Sequence, residues 1–297
     1  MLASIVIRTL NEGVYLEELL LSIKAQQCNF DVEIVIIDSG STDKTLQIAD
    51  LYDARVTHIH REDFSFGRSL NMGSEYAKGD ILVYISGHCI PVNEQWLSNL
   101  VNPILLEGID YTYGKQLGRD TTKYSEYKIF SKYFSDHSSV PQDNFFCNNA
   151  NSALTRKAWK KFKFNEDLTG LEDMDLAKRL FNSGGKIGYI SEAGVFHIHN
   201  ETWNQTRRRY ERESIALQSI MPEIQINFFD MVRYIVSSIV SDSKSAIRDK
   251  CFLKKFHSIC LFRFAQYSGS YRGNLKHREL SIKRKESYFY PTKNIQD

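Results

Sequence analysis

The stretch Val32 to Asp43 reads VEIVIIDSGSTD. Its first part, Val32 to Asp38, is a run of mostly β-branched apolar residues ending on a carboxylate, which marks a buried strand. Ser39-Gly40-Ser41-Thr42-Asp43 then forms a turn whose side chains suit the cap of a helix. That helix runs to about Tyr52, and Val56 to Ile59 is a further strand. Upstream, Leu2 to Arg8 (LASIVIR) is another buried strand, closing on Thr9-Leu10-Asn11-Glu12. Tyr15 to Gln27 carries Leu16, Leu19, Leu20 and Ile23 at helical spacing. Downstream, Gly67 to Ala77 reads as a helix and Ile81 to Ser86 as a fourth strand. Strands alternating with helices mean βαβ units, and hence a parallel sheet covered on both faces.

Residues 101–150 are less regular, with a strand expected at Tyr113 to Leu117. Phe146 to Leu154 passes from polar to apolar and leads into a Lys/Trp-rich helix. Leu171 to Asn182 is a helix stopped by Gly184-Gly185, and Lys186 to Ile190 and Gly194 to His197 are two short strands. Beyond Thr202 the pattern is mostly helical, with Pro222 as the clear interruption. The expected organisation is an α/β domain over 1–205 and a mainly helical, basic extension over 206–297.

The 297 residues are 42% hydrophobic and 25% charged, enough to bury a sizeable core and too apolar for a disordered polymer. No apolar stretch approaches the ~18 residues that span a bilayer. Met1 is not followed by a basic segment, an apolar core and a cleavage site, so secretion is not expected. The five cysteines (Cys28, Cys89, Cys147, Cys251, Cys260) are scattered and never paired as CxxC, which fits reduced cytosolic thiols. The net charge of +2 hides an asymmetry: residues 1–200 hold 20 basic and 26 acidic side chains, residues 201–297 hold 18 and 10. A basic tail on a mildly acidic body points to phosphates or an anionic membrane surface, and not to sequence-specific nucleic-acid binding.

Ligands of open parallel sheets sit outside the carboxyl ends of the strands. Three such ends are polar here: Arg8, Thr9, Asn11 and Glu12; Asp38, Ser39, Gly40, Ser41 and Asp43; and Ser86, Gly87 and His88. Hydroxyls, backbone amides and a carboxylate at one edge suit a nucleotide, and the same residues also suit ordinary turn and N-cap chemistry. Glu172-Asp173-Met174-Asp175 places three carboxylates at a helix start. They complement the helix dipole, and their mutual repulsion raises a pKa and prepares a general base. His197-Ile198-His199 would send both imidazoles to one face of a strand, where they can hold a divalent ion.

Together these motifs resemble the family 2 glycosyltransferases, with their GT-A fold. The likeness spans about residues 3–205: the opening strand and TLNE loop, Ile36 to Asp43, Phe66 to Asn71 before Ala77 to Asp80, Ile85 to Pro91, Trp96, Asn149 to Leu154, Glu172-Asp173 and the histidines. It implies a mostly parallel Rossmann-like sheet flanked by helices, with a C-terminal helical extension. It also implies a nucleotide-sugar donor held by Thr9, Asn11, Glu12, Asp38, Ser39, Ser41 and Ser86. Asp173 would be the base that deprotonates an acceptor hydroxyl in an inverting transfer, with Glu172 holding the acceptor or orienting the base. The acceptor implied is a cell-surface glycan, free or lipid-linked, and the rhamnosyltransferase-like members are the comparison nearest to this sequence. A bacterial cytoplasmic setting at the inner membrane follows by the same analogy.

One departure stands out. The family places Asp-x-Asp after the fourth strand for Mn²⁺ or Mg²⁺, and this chain has Ser86-Gly87-His88. Imidazole suits Mn²⁺ better than hard Mg²⁺. His88 with His197 or His199 as a Mn²⁺ site, His88 or Arg68 acting directly on the diphosphate, and an inactive domain that binds nucleotide-sugar or glycan without turnover all stand at this level. A nucleotidyltransferase is disfavoured, because residues 8–14 hold one Gly and no Lys. Trp203 and Arg207, in an Arg-rich stretch past the histidines, are expected to close over the donor or to form a charged helix face. In the tail, Phe228 to Val236 and Phe252 to Phe256 are apolar with Lys and Arg nearby, suiting a membrane interface, internal packing or a second subunit.

Overall fold

The computed structural model describes residues 1–275 and 288–289. In chain order the elements are β1 (Leu2–Thr9), α1 (Leu16–Lys24), β2 (Asp31–Asp38), α2 (Thr45–Leu51), β3 (Arg55–His58), α3 (Phe66–Tyr76), β4 (Ile81–Ser86), β5 (Cys89–Pro91) and α4 (Trp96–Glu107). They continue with β6 (Tyr111–Leu117), α5 (Tyr124–Tyr133), β7 (Asn151–Thr155), α6 (Arg156–Phe162), α7 (Glu172–Asn182), β8 (Ile187–His197), α8 (Trp203–Ile220), α9 (Phe228–Arg248) and α10 (Phe252–Asn274).

The chain divides into two compact units: Met1–Arg119, Tyr133–Asp167 and Glu172–Ile198 form the first, and Asp120–Lys132, Leu168–Leu171 and His199–Asp297 the second. The first holds an eight-stranded sheet in the order β3-β2-β1-β4-β7-β6-β8-β5. Strands β3, β2, β1 and β4 are parallel, as their βαβ spacing requires, and β6 with β8 is parallel too. β7 runs antiparallel to β4 and β6, and β5 antiparallel to β8, so the sheet is mixed and mostly parallel. Ile5, Ile7, Leu16, Leu19, Leu20, Ile36, Val83, Trp96 and Leu100 are fully buried in its core, because the parallel strands are apolar on both faces.

Register decides where the chemistry lies. Thr9 pairs with Asp38, and Arg8 with Ser86, so three polar strand ends align at one edge. Because β7 is antiparallel, its start beside Ile85 brings the Asn148-Asn149 turn to that edge as well. Cys89 pairs with His197, which sets His88 beside the end of β8. Lys186 to His197, read as two strands, is one strand, Ile187–His197, with a register shift opposite Gly114 to Gln116. β8 ends at His197, so strand alternation does not extend to His199.

Within the second unit, α8 opens on a capping box between Thr202 and Gln205. α10 packs closely on α8 at Gly269 and Gly273, where a Cβ would run into the backbone carbonyls of Arg207 and Glu211. A buried Arg263–Asp242 pair at 2.8 Å ties α10 to α9.

Candidate active site at the carboxyl edge of the sheet

The loops after β1 and β2 are knitted together by their own side chains. Thr9 Oγ1 donates to Asp38 Oδ1 at 3.0 Å, and Ser39 Oγ donates to the Thr9 carbonyl at 3.0 Å. The amides of Gly40 and Ser41 donate to Asp38 Oδ2, and Ser41 Oγ donates to Oδ1. Asp38 is thus buried with roughly every lone-pair position of its carboxylate used, and it organises the turn. Asn11, held in the left-handed region at φ 57°, donates its amide to Ser41 Oγ and accepts from the Thr42 amide, both at 2.8 Å. The Glu12 amide donates to Thr45 Oγ1, and Asp43 caps Gly13 and Thr45.

A hydrogen-bonded chain crosses from this loop to β8. Glu12 Oε1 lies 2.9 Å from His88 Nδ1; as an acceptor it keeps the proton on Nδ1 and leaves a lone pair on Nε2. Gly87 permits this approach, since a Cβ there would sit 2.8 Å from Glu12 Cγ. At the other end the Ala150 amide donates to Asn148 Oδ1, and Gln116 Nε2 donates to the same oxygen at 2.8 Å. Gln116 Oε1 is then left to accept from His197 Nδ1 at 2.7 Å, which puts a lone pair on His197 Nε2 as well. The two Nε2 atoms face each other at 3.3 Å, with the rings 22° from parallel. Two lone pairs at that distance repel unless a cation or proton lies between them. Two ligands about 2.1 Å from one ion are roughly 3 Å apart, so this pair fits a shared divalent cation.

Asp173 sits in the first turn of α7, buried, where Oδ2 accepts from the Asn149 amide and Oδ1 from the Met174 amide, each at 2.8 Å. Burial, then the adjacent Glu172 charge, pushes its pKa up to about 7, against those two amides and Arg8. Arg8 Nη1 reaches Glu172 Oε1 at 3.4 Å, and its guanidinium lies 4.9 Å from the Phe66 ring centre. Leu171, just before Glu172, has φ 56°, an uncommon conformation for a branched side chain. Asp175 is engaged by Arg179 at 2.7 Å, unlike Asp173.

Arg68 pairs with Glu166 at 2.9 Å and with Asp63. His199, Trp203 and Arg207 belong to the second unit. There His199 Nδ1 meets Glu126 Oε1 at 2.8 Å, Arg209 bridges Glu126 and Glu201, and Lys123 lies 5.2 Å from the Trp203 ring centre. Arg207 Nη2 donates to Asn204. The His-Arg pairing holds the Glu126 carboxyl below its ordinary value although burial opposes it. Sequence reasoning missed Gln116 and Glu126, which sit in no motif, and assigned no role to Asn149.

The carboxyl edge of the mixed sheet thus gathers two polar loops, an acid pair and two facing imidazoles. The sequence profile of Glycosyl transferase family 2 matches residues 4–162, and the chain belongs to that family. It is 27% identical over 238 residues to the O-antigen chain rhamnosyltransferase RfbN of Salmonella typhimurium, covering 76% of this chain and 75% of the relative. It is 29% identical to the O-antigen chain rhamnosyltransferase WbaN of Salmonella anatum, with 62% of each covered. Among solved structures, the mannosyltransferase PcManGT from Pyrobaculum calidifontis, in complex with GDP-Man and Mn²⁺, shares the fold (TM-score 0.63, 14% identity, 93% of this chain and 88% of that one). Glucosyl-3-phosphoglycerate synthase from Mycobacterium tuberculosis, with Mn²⁺, UDP and glucosyl-3-phosphoglycerate, superposes at TM-score 0.56, with 23% identity over 73% of this chain and 78% of that one.

Proposed function

We propose that the chain transfers a sugar, with inversion, from a nucleoside-diphosphate donor to a hydroxyl of a bacterial cell-surface glycan of the O-antigen kind. The observation that carries this reading is Asp173: a buried carboxylate at the ligand edge of the sheet, with its pKa raised to about 7 by burial and then by Glu172. Asp173 takes the acceptor proton as the hydroxyl oxygen attacks the anomeric carbon. The bond from that carbon to the diphosphate oxygen breaks, and the nucleoside diphosphate leaves with the electron pair. Glu172, tethered to Arg8, orients the base.

Thr9, Asp38 and Ser39 hold the donor loop in shape, while Asn11, Glu12, Ser41 and Ser86 contact the donor. Arg68, Trp203 and Arg207 are assigned to the donor on sequence position. Both structural relatives named above were solved with Mn²⁺. The facing Nε2 atoms make His88 and His197 the ligands we assign to such an ion here, and His199 joins them on sequence position. An imidazole pair favours Mn²⁺ over Mg²⁺. When bound, the ion would neutralise diphosphate charge. The acceptor class carries with it a cytoplasmic setting at the inner membrane.

A thermal-shift panel of nucleoside diphosphates with EDTA, Mg²⁺ or Mn²⁺ tests the donor reading. One nucleotide at a hundredfold excess over Kd should stabilise the chain by about 2.7 kcal/mol. No shift from any of them sinks it. A second reading, a domain that binds without turnover, is motivated by His88 in place of the family's aspartate. Donor hydrolysis in the absence of acceptor counts against that reading.

A further inference from the structure

α9 begins with a capping box between Asn227 and Asp230 and runs for 21 residues, yet only Asp242 and Ala246 of it are buried. Phe229, Val232, Val236, Val240 and Ile247 recur at intervals of three, four and seven, which places them on one stripe of the helix. Phe229 is 82% exposed, Ile247 61%, Val236 56% and Val232 41%. From Phe229 to Ile247 the stripe runs for about 27 Å, and contiguous exposed apolar surface is a feature of interaction sites.

The charges near it are sorted by sign. On α9 and at its C-terminal cap each acidic group has a partner: Asp230 Oδ2 accepts from the Asn227 amide and Oδ1 pairs with Arg233, Asp242 is buried against Arg263, and Asp249 meets Tyr124 at 2.7 Å and Lys128 at 3.2 Å. Lys244, Arg248, Lys250, Lys254 and Lys255 are exposed, and Leu253, between Cys251 and the last two of these lysines, is 91% exposed. An apolar stripe with cations beside it is complementary to an anionic lipid surface. Two copies meeting stripe to stripe would bring the same cations together. No described helix is long and apolar enough to cross a membrane.

We propose that α9 lies in the headgroup region of an anionic bilayer, its apolar stripe toward the acyl chains and its lysines and arginines on lipid phosphates. This concerns where the enzyme works and is independent of the transfer chemistry, so the two readings can fail separately.

The test is co-sedimentation of the full chain with vesicles of phosphatidylcholine alone or mixed with phosphatidylglycerol. Donor hydrolysis is measured in parallel. Binding should need the anionic lipid, weaken with salt, and fall about tenfold or more in Val236→Asp/Val240→Asp, with hydrolysis unchanged. Val236→Ser/Val240→Ser, which puts no charge on the helix, should show a smaller loss in the same direction. Lys254→Glu/Lys255→Glu should lose binding mainly at low salt. Absence of binding to anionic vesicles, or binding that the valine variants leave unchanged, overturns the proposal. So does a dimer that Val236→Asp/Val240→Asp splits while vesicles are ignored, which would make the stripe a self-association surface.

Discussion

Asp173 in the first unit and Glu126 in the second are both buried carboxylates, 7% and 2% exposed, and they titrate in opposite directions. Burial pushes both up. Asp173 has two backbone amides for company and a like charge next to it, and the cation that acts on it, Arg8, is bonded to Glu172. Glu126 has His199 and Arg209 on one oxygen. The contrast teaches that a desolvated acid becomes a base or a strut according to the sign of what packs beside it. Sequence places an acidic neighbour beside the first, whereas the cationic partners of the second come from 73 and 83 residues away.

The largest expected effect is on the proposed base. Asp173→Asn should lower transfer by about a thousandfold while leaving the nucleotide-induced thermal shift in place. If transfer survives, the contrast collapses and Glu172 or Asp175 takes the role. Next is the strut: Glu126→Ala removes the carboxylate that His199 and Arg209 share and should cost about 3 kcal/mol in urea unfolding. A third variant, Glu12→Gln, weakens the acceptor that fixes the His88 tautomer. It should reduce Mn²⁺ affinity by about tenfold or more, read by titration calorimetry without substrate.

The smallest effect is also the most specific. Because the Asp173 pKa is raised, the group is protonated below about pH 7, so kcat/KM should rise with pH through about 7 and level off above it. Glu172→Gln removes a charge that holds that pKa up and should move the limb down by about one unit; Arg8→Gln should move it up. If both variants leave the limb in place, the neighbouring charges do not set the base.

Much of the fold was legible because it repeats. β1, α1, β2, α3, β4 and α7 begin and end within a few residues of their periodicity, and the DSGSTD turn is held by the capping chemistry its residue types advertise. β5 is three residues long and α5 is irregular in polarity, so neither announced itself. That Glu172 crowds Asp173 and raises its pKa was legible from their adjacency. The Glu12–His88 contact was not, because 76 residues separate the two and only register between strands brings them together.

Periodicity, turn chemistry and local charge crowding are properties of neighbouring residues, so the order of the strands' chemistry and the acid pair follow from the chain read in one dimension. The tautomers of His88 and His197, the contrast between Asp173 and Glu126, and the bare stripe of α9 depend on groups brought together, or left apart, by packing. Hydrogen-bond acceptance and desolvation act over a few ångströms of space whatever the separation along the chain, and that is why those features emerge only in the folded protein.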